Sequence, residues 1–540
     1  MSPPEGETEA SSLLTNRIVA FGPSSSEDDA PAVLLRHDSD FSVATAYHDG
    51  SPNDLAVWQG ATLLTAECLG TGLLALPGSI QVLGFWPGIL FLILNIPINL
   101  AAGTLLSASA SFVEDRQKME DRLFQAALHA DTWDPDDAQQ DYRALNELTA
   151  ESAFTVDTAA NTVHTHLHHD TATYDFIGMT TALFRNNKRA VRLVQGMYYA
   201  NLFLVLGNYI LVMSHAVVAA SGETLCLPMA GLLASVGMFA VAQLRTMARL
   251  GRTASIVSLL ALLVVVIQCL VAARSSDQPP PETPKDNDNT TMAFHSAVAT
   301  TVPSSTSLSS DASFLLATTA LLKQFSALGS IGFAVGSQKL LLNIRHELQD
   351  RKQAPRTLFY GLMTFGSVYV LIILLAGPSP PSFLFDVIPP GTWNRRIAGI
   401  LLWGHVMVSY AINSQAICAS LERLVSPRIL WLDSQTPTIR WLLLTGFLAV
   451  LAYTVANAIP FFDDLVALIG AITSVPLTLL LPALFWRKQG HYPLWTPTWD
   501  SLPSWSLLLY ATLFMVTASV GSLWSIRQDW AFHGAPFSCR

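Results

Sequence analysis

The sequence predicts an all-α membrane protein of about eleven transmembrane helices, and two observations lead to that fold class. Hydrophobic residues make up 51% of the 540 residues and charged residues only 13%, a balance that a soluble domain with a hydrated surface does not have. Apolar stretches of roughly 20 residues, enough to cross a hydrocarbon core of about 30 Å, also recur along the chain. These stretches are Trp58–Val82, Trp86–Phe112, Leu193–Ala220, Leu225–Gln243, Ala254–Ala273, Ala312–Leu342, Leu358–Gly377, Ile397–Cys418, Trp441–Ile459, Leu465–Trp486 and Trp505–Ser525.

The net charge of −10 comes from two polar segments. Residues 1–54 and 113–175 together hold 24 of the 40 acidic residues and 6 of the 30 basic residues, so 16 acidic and 24 basic residues remain in the membrane part. The sequence therefore predicts a disordered acidic cytosolic tail over 1–54. Residues 55–527 are predicted to form the transmembrane domain, interrupted by a mobile cytosolic insertion at 113–188, of which Val113–His129 has helical spacing.

Lysine and arginine in short loops predict the orientation, because they resist translocation. Alternate loops are rich in them, at Arg245–Arg252, Arg345–Arg356, Arg423–Arg440 and Arg487–Lys488, which places the amino terminus in the cytosol. The loop 274–311 and the tail 528–540 then lie outside or in a lumen. The Asn289-Thr290-Thr291 glycosylation sequon falls in that outer loop and agrees with this orientation.

The cysteine and histidine patterns predict neither a disulfide framework nor a metal site. The five cysteines are scattered, three of them in apolar runs, and show no zinc spacing. The histidines at 164, 166, 168 and 169 lie in the polar insertion, where they are more readily explained as incidental or as a sensor of cytosolic pH than as metal ligands. No nucleophile or paired metal-ligand pattern lies inside a span, so an enzyme is not expected.

The first apolar helix contains a glycine pair that can open it. Gly70 and Gly72 flank Thr71, and Pro77 removes a backbone donor further along. A helix broken here would present free N–H groups and a positive dipole end, which suit a carboxylate. The alternative is that the two glycines only allow close helix packing.

The sixth apolar helix repeats this feature. Ser326–Gly332 includes Gly329 and Ser330 in the middle of the span, between Lys323 and Lys339. Matching interruptions in the first helix of each five-helix half are typical of an inverted repeat with a binding site at the bilayer midplane. The sequence therefore predicts a second break at Ser326–Gly332.

Three segments resemble the amino acid/auxin permease superfamily. Gly70–Pro77 is similar to the first-helix signature of its proton-coupled and vacuolar branches. Gln338–Arg356 is similar to the end of its sixth helix, and Ile459–Ala471 with the prolines that follow is similar to its tenth helix. The resemblance covers about Val57–Arg527.

This resemblance implies a fold, an activity and a set of binding residues. The fold is a LeuT-like core of two inverted five-helix repeats plus one further helix, and the activity is transport of amino acids with protons or sodium. Cys68 stands where several relatives have a polar Asn, which favours protons over sodium. No other cofactor is expected. The residues implied to contact the substrate, through its carboxylate, amine and side chain, are Gly70, Thr71, Gly72, Phe325, Ser326, Gly329 and Ser330.

Glu67 is the candidate for ion coupling that carries most weight, because a carboxylate in a spanning helix is costly and usually faces a cavity or a partner. A structural partner for a neighbouring hydroxyl or amide is the equal alternative. Ser409 and Asn413 lie on a polar stripe of the eighth helix that relatives with sodium sites use, although ordinary interhelical hydrogen bonding explains them more simply. His405 is expected to be packed.

Glu9, Leu13 and Leu14 match an acidic dileucine signal that vesicle adaptors read, which adds a vacuolar or lysosomal membrane to the plasma membrane as destinations. The first hypothesis is thus a monomeric secondary amino acid transporter. Its expected partners are its substrate and the lipid bilayer, and no nucleic acid partner is expected. The second hypothesis is an amino-acid sensor that signals through its tail and insertion.

Overall fold

The computed structural model describes residues 55–128, 175–184, 187–243, 247–276, 310–377, 379–425, 437–490, 502–533 and 536–539, and these residues are helical almost throughout. The helices are α1 Val57–Cys68, α2 Thr71–Leu83, α3 Phe85–Leu128, α4 Phe176–Leu183, α5 Lys188–Ala220, α6 Leu227–Ala242, α7 Met247–Ser276, α8 Ser310–Val335, α9 Leu341–Glu347, α10 Ala354–Ala376, α11 Trp393–Val425, α12 Pro437–Ala458, α13 Phe462–Gln489 and α14 Leu502–His533. Short 3₁₀ turns lie at Ser337–Lys339, Arg351–Gln353 and Leu384–Val387.

Each predicted apolar stretch coincides with a helix or a broken pair of helices, so the all-α membrane class is confirmed. By length and composition, eight helices in the described ranges can cross a membrane, or nine if α1 and α2 form one span. The count of eleven stays a prediction, since α6 has only 16 residues and α8 is not among these eight helices. Apolar side chains on the outside of the bundle, such as Val257, Leu260 and Val450, are more than half exposed, as lipid contact requires.

Helix α13 is the central element of the bundle. Of its most apolar stretch, 89% is buried inside the bundle, whereas only 28% of the corresponding stretch of α7, within Val257–Ser275, is buried. A helix that is apolar on all sides packs inside a bundle rather than along its edge. Two wide π-helical turns, Gly470–Ser474 and Pro476–Leu480, interrupt α13. Such turns are frequent at functional sites.

The chain breaks where the first span was predicted to open, but not where the sixth was. Helices α1 and α2 are bent by 62° at the break after Cys68. Ser326–Gly332, in contrast, lies inside the continuous helix α8, so the predicted interruption there is wrong. The helix ends at Val335 instead, and α9 resumes at Leu341 after the 3₁₀ turn.

The insertion predicted to be mobile is partly ordered. Asp175 caps α4 by accepting a hydrogen bond from the Gly178 N–H at 2.6 Å. Phe176 and Met179 are buried, and Phe176 lies 6.4 Å from the Phe485 ring of α13. Apolar side chains packed into the bundle therefore order the end of this segment.

One disulfide is present although the cysteine pattern predicted none. Cys226, before α6, is bonded to Cys539, with a separation of 313 residues along the chain. Sequence spacing cannot reveal such a pair, because only the folded bundle brings the start of α6 and the segment after α14 to one end. Trp530 holds the same end together by donating a hydrogen bond to the Ala458 carbonyl at 2.9 Å.

Candidate functional site at the helix breaks

The break between α1 and α2 leaves an uncapped helix start inside the protein. Gly70 precedes α2 with a ψ of −140°, which is neither helical nor extended, and no side chain caps the helix there. Every residue from Thr71 to Ile80 is buried. The first N–H groups of a helix lack intrahelical partners and carry partial positive charge. The start of α2 is therefore chemically suited to an anionic group such as a carboxylate.

Thr71 is held in place by the third predicted span. The Asn208 side-chain amide of α5 donates a hydrogen bond to Thr71 Oγ1 at 2.9 Å. Thr71 is 4% exposed and Asn208 is fully buried. Since the hydroxyl accepts from Asn208, its own proton is free to be donated toward a ligand. Asn208 Oδ1 has no hydrogen-bond partner among the described residues.

Tyr369 of α10 joins the two broken spans. Its hydroxyl contacts the Cys68 carbonyl at the end of α1 and the Ala334 carbonyl near the end of α8, the latter at 3.2 Å. Both carbonyls belong to the last turns of interrupted helices, which lack the usual intrahelical donors. A single buried phenol thus stabilises both breaks in a setting without bulk water.

The start of α2 and the end of α8 are in direct contact. A Cβ placed on Gly72 would lie 3.3 Å from Ala334 Cα and 3.3 Å from Phe333 Cδ1. The absence of a side chain at Gly72 therefore lets the two breaks approach each other. Phe333 is half-buried, and the Lys339 ammonium group lies 4.9 Å from the centre of its ring.

A polar network continues from Lys339 into the wide turns of α13. Lys339 Nζ donates to Ser474 Oγ at 3.2 Å. The Asn201 amide of α5 donates to Thr473 Oγ1 at 2.7 Å and to Ser474 Oγ at 3.2 Å. The widened turn presents these two hydroxyls next to each other. The network places a cation and several orientable dipoles on one side of the helix breaks.

Glu67 lies at the end of α1, half-buried and beside this network. Its carboxylate interacts electrostatically with Lys339. The structure therefore brings the predicted coupling residue near a half-buried cation. The unwound residues between α1 and α2 separate Glu67 from the start of α2, so Glu67 is not part of that helix start.

The glycine-rich segment of α8 is packed against neighbouring helices. A Cβ on Gly329 would collide with the Ala467 carbonyl of α13, and one on Gly521 of α14 would collide with the Ser326 N–H and the Phe325 backbone. Phe325 and Ser326 thus line the contact with α14, and Gly329 the contact with α13. Ser330 is buried.

The polar residues of α11 make local or pairwise contacts. Asn413 donates to the Ser409 carbonyl of its own helix at 2.9 Å. His405 is 4% exposed, and its Nδ1 lies 2.8 Å from Ser258 Oγ of α7, as expected for a packed histidine. Among the described residues no group of three or more His, Cys, Asp or Glu could hold a metal ion.

Sequence reasoning missed Asn208 and Tyr369 as members of this site, and it named Lys339 only as a flank of Ser326–Gly332. A signal existed for Asn208, because Asn201 and Asn208 are seven residues apart and so share one face of an otherwise apolar helix. Tyr369 offered no such pattern. Several other predictions lie outside the described residues, namely those for Asn289, Glu9, Leu13, Leu14 and the histidines at 164 to 169.

An apolar cavity of about 530 Å³ lies elsewhere, between α4, the start of α5, α13 and α14. Its lining includes Phe184, Met197, Leu484 and Met515 but none of the residues at the helix breaks. The charged side chains of this lining are Arg487 and Lys488, both cations, so the cavity offers no acidic partner to the amine of a zwitterion. The helix breaks therefore remain the better candidate for a polar ligand.

Comparison with known proteins decides the family. The model of the family described as transmembrane amino acid transporter protein matches residues 54–527. The chain belongs to this family. The family resemblance inferred from the three sequence segments is therefore confirmed.

Several plant proteins are distantly similar to this chain in sequence. Amino acid permease 3 of Arabidopsis thaliana is 24% identical over 233 residues, which cover 38% of this chain and 48% of the permease. Amino acid permease 6 of the same plant is 26% identical over 238 residues, with 38% and 48% covered. Its amino acid transporter AVT1E is 25% identical over 165 residues, with 29% and 30% covered. The chain spans about half the length of the permeases it matches.

Among solved structures, the crystal structure of MhsT in complex with L-phenylalanine matches 89% of this chain and 99% of its own. The sequence identity is 13% and the TM-score is 0.39.

Proposed function

We propose that this protein is a secondary active transporter that moves amino acids across a membrane by alternating access, coupled to protons. The observation that carries the proposal is the buried, uncapped start of α2 beside a second helix break, in a chain of the amino acid transporter family. Irregular backbone at membrane depth persists where protein or a hydrated cavity satisfies it. A zwitterion offers a group of each sign to such a site.

The substrate carboxylate binds at the start of α2. The backbone N–H groups of Gly70, Thr71 and Gly72 and the Thr71 hydroxyl serve as donors, and Asn208 fixes the orientation of that hydroxyl. Hydrogen bonds to a charged partner contribute about 1.5–3 kcal/mol each. The uncapped helix dipole adds to this attraction.

The substrate amine binds on the side of α8, where carbonyl and hydroxyl oxygens are available. The Ala334 carbonyl already accepts a hydrogen bond from Tyr369 and has a second lone pair. Contacts of the substrate with Phe325, Ser326, Gly329 and Ser330 stay predictions. Phe333, beside Gly72, is a further side chain that can limit the size of the substrate.

The moving parts are the inner halves of the two broken spans. Leu55, which precedes α1, is paired with the end of α9: the Leu55 N–H donates to the Glu347 carbonyl at 3.0 Å, and the Gln349 N–H donates to the Leu55 carbonyl at 3.1 Å. These bonds couple α1 to α9, so that the two swing together about the breaks. A LeuT-like pair of inverted repeats would provide the scaffold for this motion.

The proton is carried near the breaks by Glu67, which exchanges its interaction with Lys339 for a proton as the inner halves move. Ser409 and Asn413 would serve instead if sodium is the coupling ion. Replacing Glu67 by Gln should abolish uptake driven by a pH gradient, and undiminished proton dependence in that variant would discard this role.

The experiment that tests transport uses the full chain in proteoliposomes. Uptake of each of the twenty amino acids is measured with proton and sodium gradients imposed separately. Thr71→Val should raise KM on the order of 10- to 100-fold, the equivalent of one hydrogen bond to a charged group. Thr364→Val is the matched control, because Thr364 is exposed on α10 and bonds only to the Tyr360 carbonyl of its own helix among the described residues.

The disulfide supports the predicted orientation. Cys226 and Cys539 both fall on the predicted outer side, and disulfides persist in oxidising compartments. Which membrane contains the protein is a separate proposal. The dileucine residues favour a vacuolar or lysosomal membrane in addition to the plasma membrane. Imaging a Leu13→Ala, Leu14→Ala variant tests it, and an unchanged distribution would count against the sorting signal.

A further inference from the structure

A cluster of carboxyl groups lies at the end of the bundle where α13 begins and α14 ends. Asp463 and Asp464 occupy the first turn of α13. The Asp464 side chain lies within hydrogen-bonding reach of Ser525 and Asp529 of α14. On the predicted orientation this is the outer end of the bundle. No residue of this cluster has a part in the substrate site.

The second oxygen of Asp464 points to a ligand. Asp464 is only 3% exposed, and its Oδ2 is enclosed without a hydrogen-bond partner among the described residues. Asp463 Oδ1 is enclosed and unpartnered in the same way. A buried anionic oxygen without a partner is strongly unfavourable, and the smallest ligand that removes its charge is a proton.

The contact between Asp464 and Asp529 gives the same answer from hydrogen-bond chemistry. An ionised carboxylate can only accept hydrogen bonds, so two carboxyl groups can bond to each other only if one of them carries a proton. Two carboxylates in one site repel, and they titrate as a pair that shares its proton. We propose that Asp464 and Asp529 form an outer proton-binding site, distinct from Glu67, that loads the coupling proton.

The charged groups on the surrounding helices are compatible with a single proton. Lys323 of α8 interacts electrostatically with Asp464 and offsets one negative charge. Arg527 of α14 is exposed and, two residues from Asp529, lies near the opposite side of the helix. His215 of α5 has its ring 5.5 Å from that of Phe383 and interacts with Asp386 and Arg395 instead. Helix α2, which also packs on α13, has no titratable side chain.

A sodium ion fits this place less well than a proton. Sodium requires several converging oxygen ligands, whereas the side chains that approach Asp464 through oxygen are those of Ser525 and Asp529. A proton needs only the two carboxyl oxygens that are already in contact. The site thus extends the proposed function, on which it rests, by naming where the proton enters.

The test separates proton coupling from substrate exchange. Full-length native protein, Asp464→Asn, Asp529→Asn and Asp386→Asn are placed in proteoliposomes. Asp386 is the control because it is an exposed carboxylate of the loop between α10 and α11. Both cluster variants should keep exchange of labelled for unlabelled amino acid without a gradient and lose stimulation by an imposed pH gradient, whereas the control keeps both. Native stimulation in both cluster variants would overturn the site, as would stimulation by sodium that depends on the same residues.

An infrared measurement tests the pair without transport. The native protein should show a carbonyl band of a protonated carboxyl group that shifts in deuterated water and disappears in Asp464→Asn or Asp529→Asn, whichever folds, but not in Asp386→Asn. If that band were still present in both Asp464→Asn and Asp529→Asn, the shared proton would be excluded. If the native protein moved no amino acid under any gradient, the transport proposal would fail while this band would still decide the proton site.

Discussion

Two glycine-rich segments with similar sequences have opposite structures in this protein. Gly70-Thr71-Gly72 ends one helix and starts another at an angle of 62°, whereas Gly329-Ser330 with Gly332 lies in an unbroken helix. The first segment is surrounded by side chains that satisfy free backbone groups, Tyr369 above all. The second is surrounded by other backbones, since Gly329 and Gly470 face each other at a distance that excludes any side chain.

The difference teaches that glycine makes a helix break possible without causing it. In lipid an opened turn is stable only where a donor or acceptor replaces the lost hydrogen bonds. Tyr369 provides this for the Cys68 carbonyl, and Asn208 orients Thr71. Around Gly329 the stabilisation comes from close packing of α8 on α13, and a continuous helix allows the closest packing.

The largest effect expected from this comparison is on stability at Gly329. Gly329→Ala should place a methyl group against the Ala467 backbone, which cannot move aside as a flexible side chain could. Overpacking of this kind costs about 1–3 kcal/mol or more. Thermal unfolding in detergent should show a clear decrease in Tm.

The control for Gly329 is Gly404, in the interior of α11, where an added Cβ has no heavy atom within 4 Å. Gly404→Ala should be neutral or stabilising by up to about 1 kcal/mol, because alanine is the better helix former. Equal Tm values for the two variants would contradict the packing role of the α8 glycines.

The next effect concerns the side chain that joins the two breaks. Tyr369→Phe should destabilise the protein by about 1–3 kcal/mol, because two buried carbonyls lose the single O–H proton that they share. It should also weaken substrate binding, since the breaks would lose their fixed spacing. Tm and KM are the measurements.

Tyr360→Phe is the matched control for that substitution, because Tyr360 lies on the same helix and is 53% exposed. It should change neither Tm nor KM. If Tyr369→Phe behaved like Tyr360→Phe, the bridge between the breaks would have no energetic role, and packing alone would hold the two spans together.

The sequence predicted the parts of this structure that depend on local composition. Every apolar stretch became helix, and the break at Gly70 was found, because hydropathy and glycine content act within a single segment. The partners of the break were not predicted, since Tyr369 contacts a carbonyl 301 residues away in the chain. The break in α8 was predicted wrongly for the same reason. The glycines of α8 pack against the backbone of α13, and that contact depends on the folded bundle rather than on the local sequence.

The smallest expected effect on stability, and the sharpest test of function, is at Gly72. A Cβ there would lie 3.3 Å from both Ala334 Cα and Phe333 Cδ1, so the Phe333 ring and the Ala334 backbone would have to shift by a few tenths of an ångström. These contacts are looser than the 2.3 Å found at Gly329, so Gly72→Ala should destabilise the protein by about 1 kcal/mol, the low end of the cost of overpacking. The methyl group nevertheless stands beside the first N–H groups of α2, so uptake should fall much more than stability. A variant with native uptake would show that the space between Gly72 and the end of α8 is not part of the substrate site.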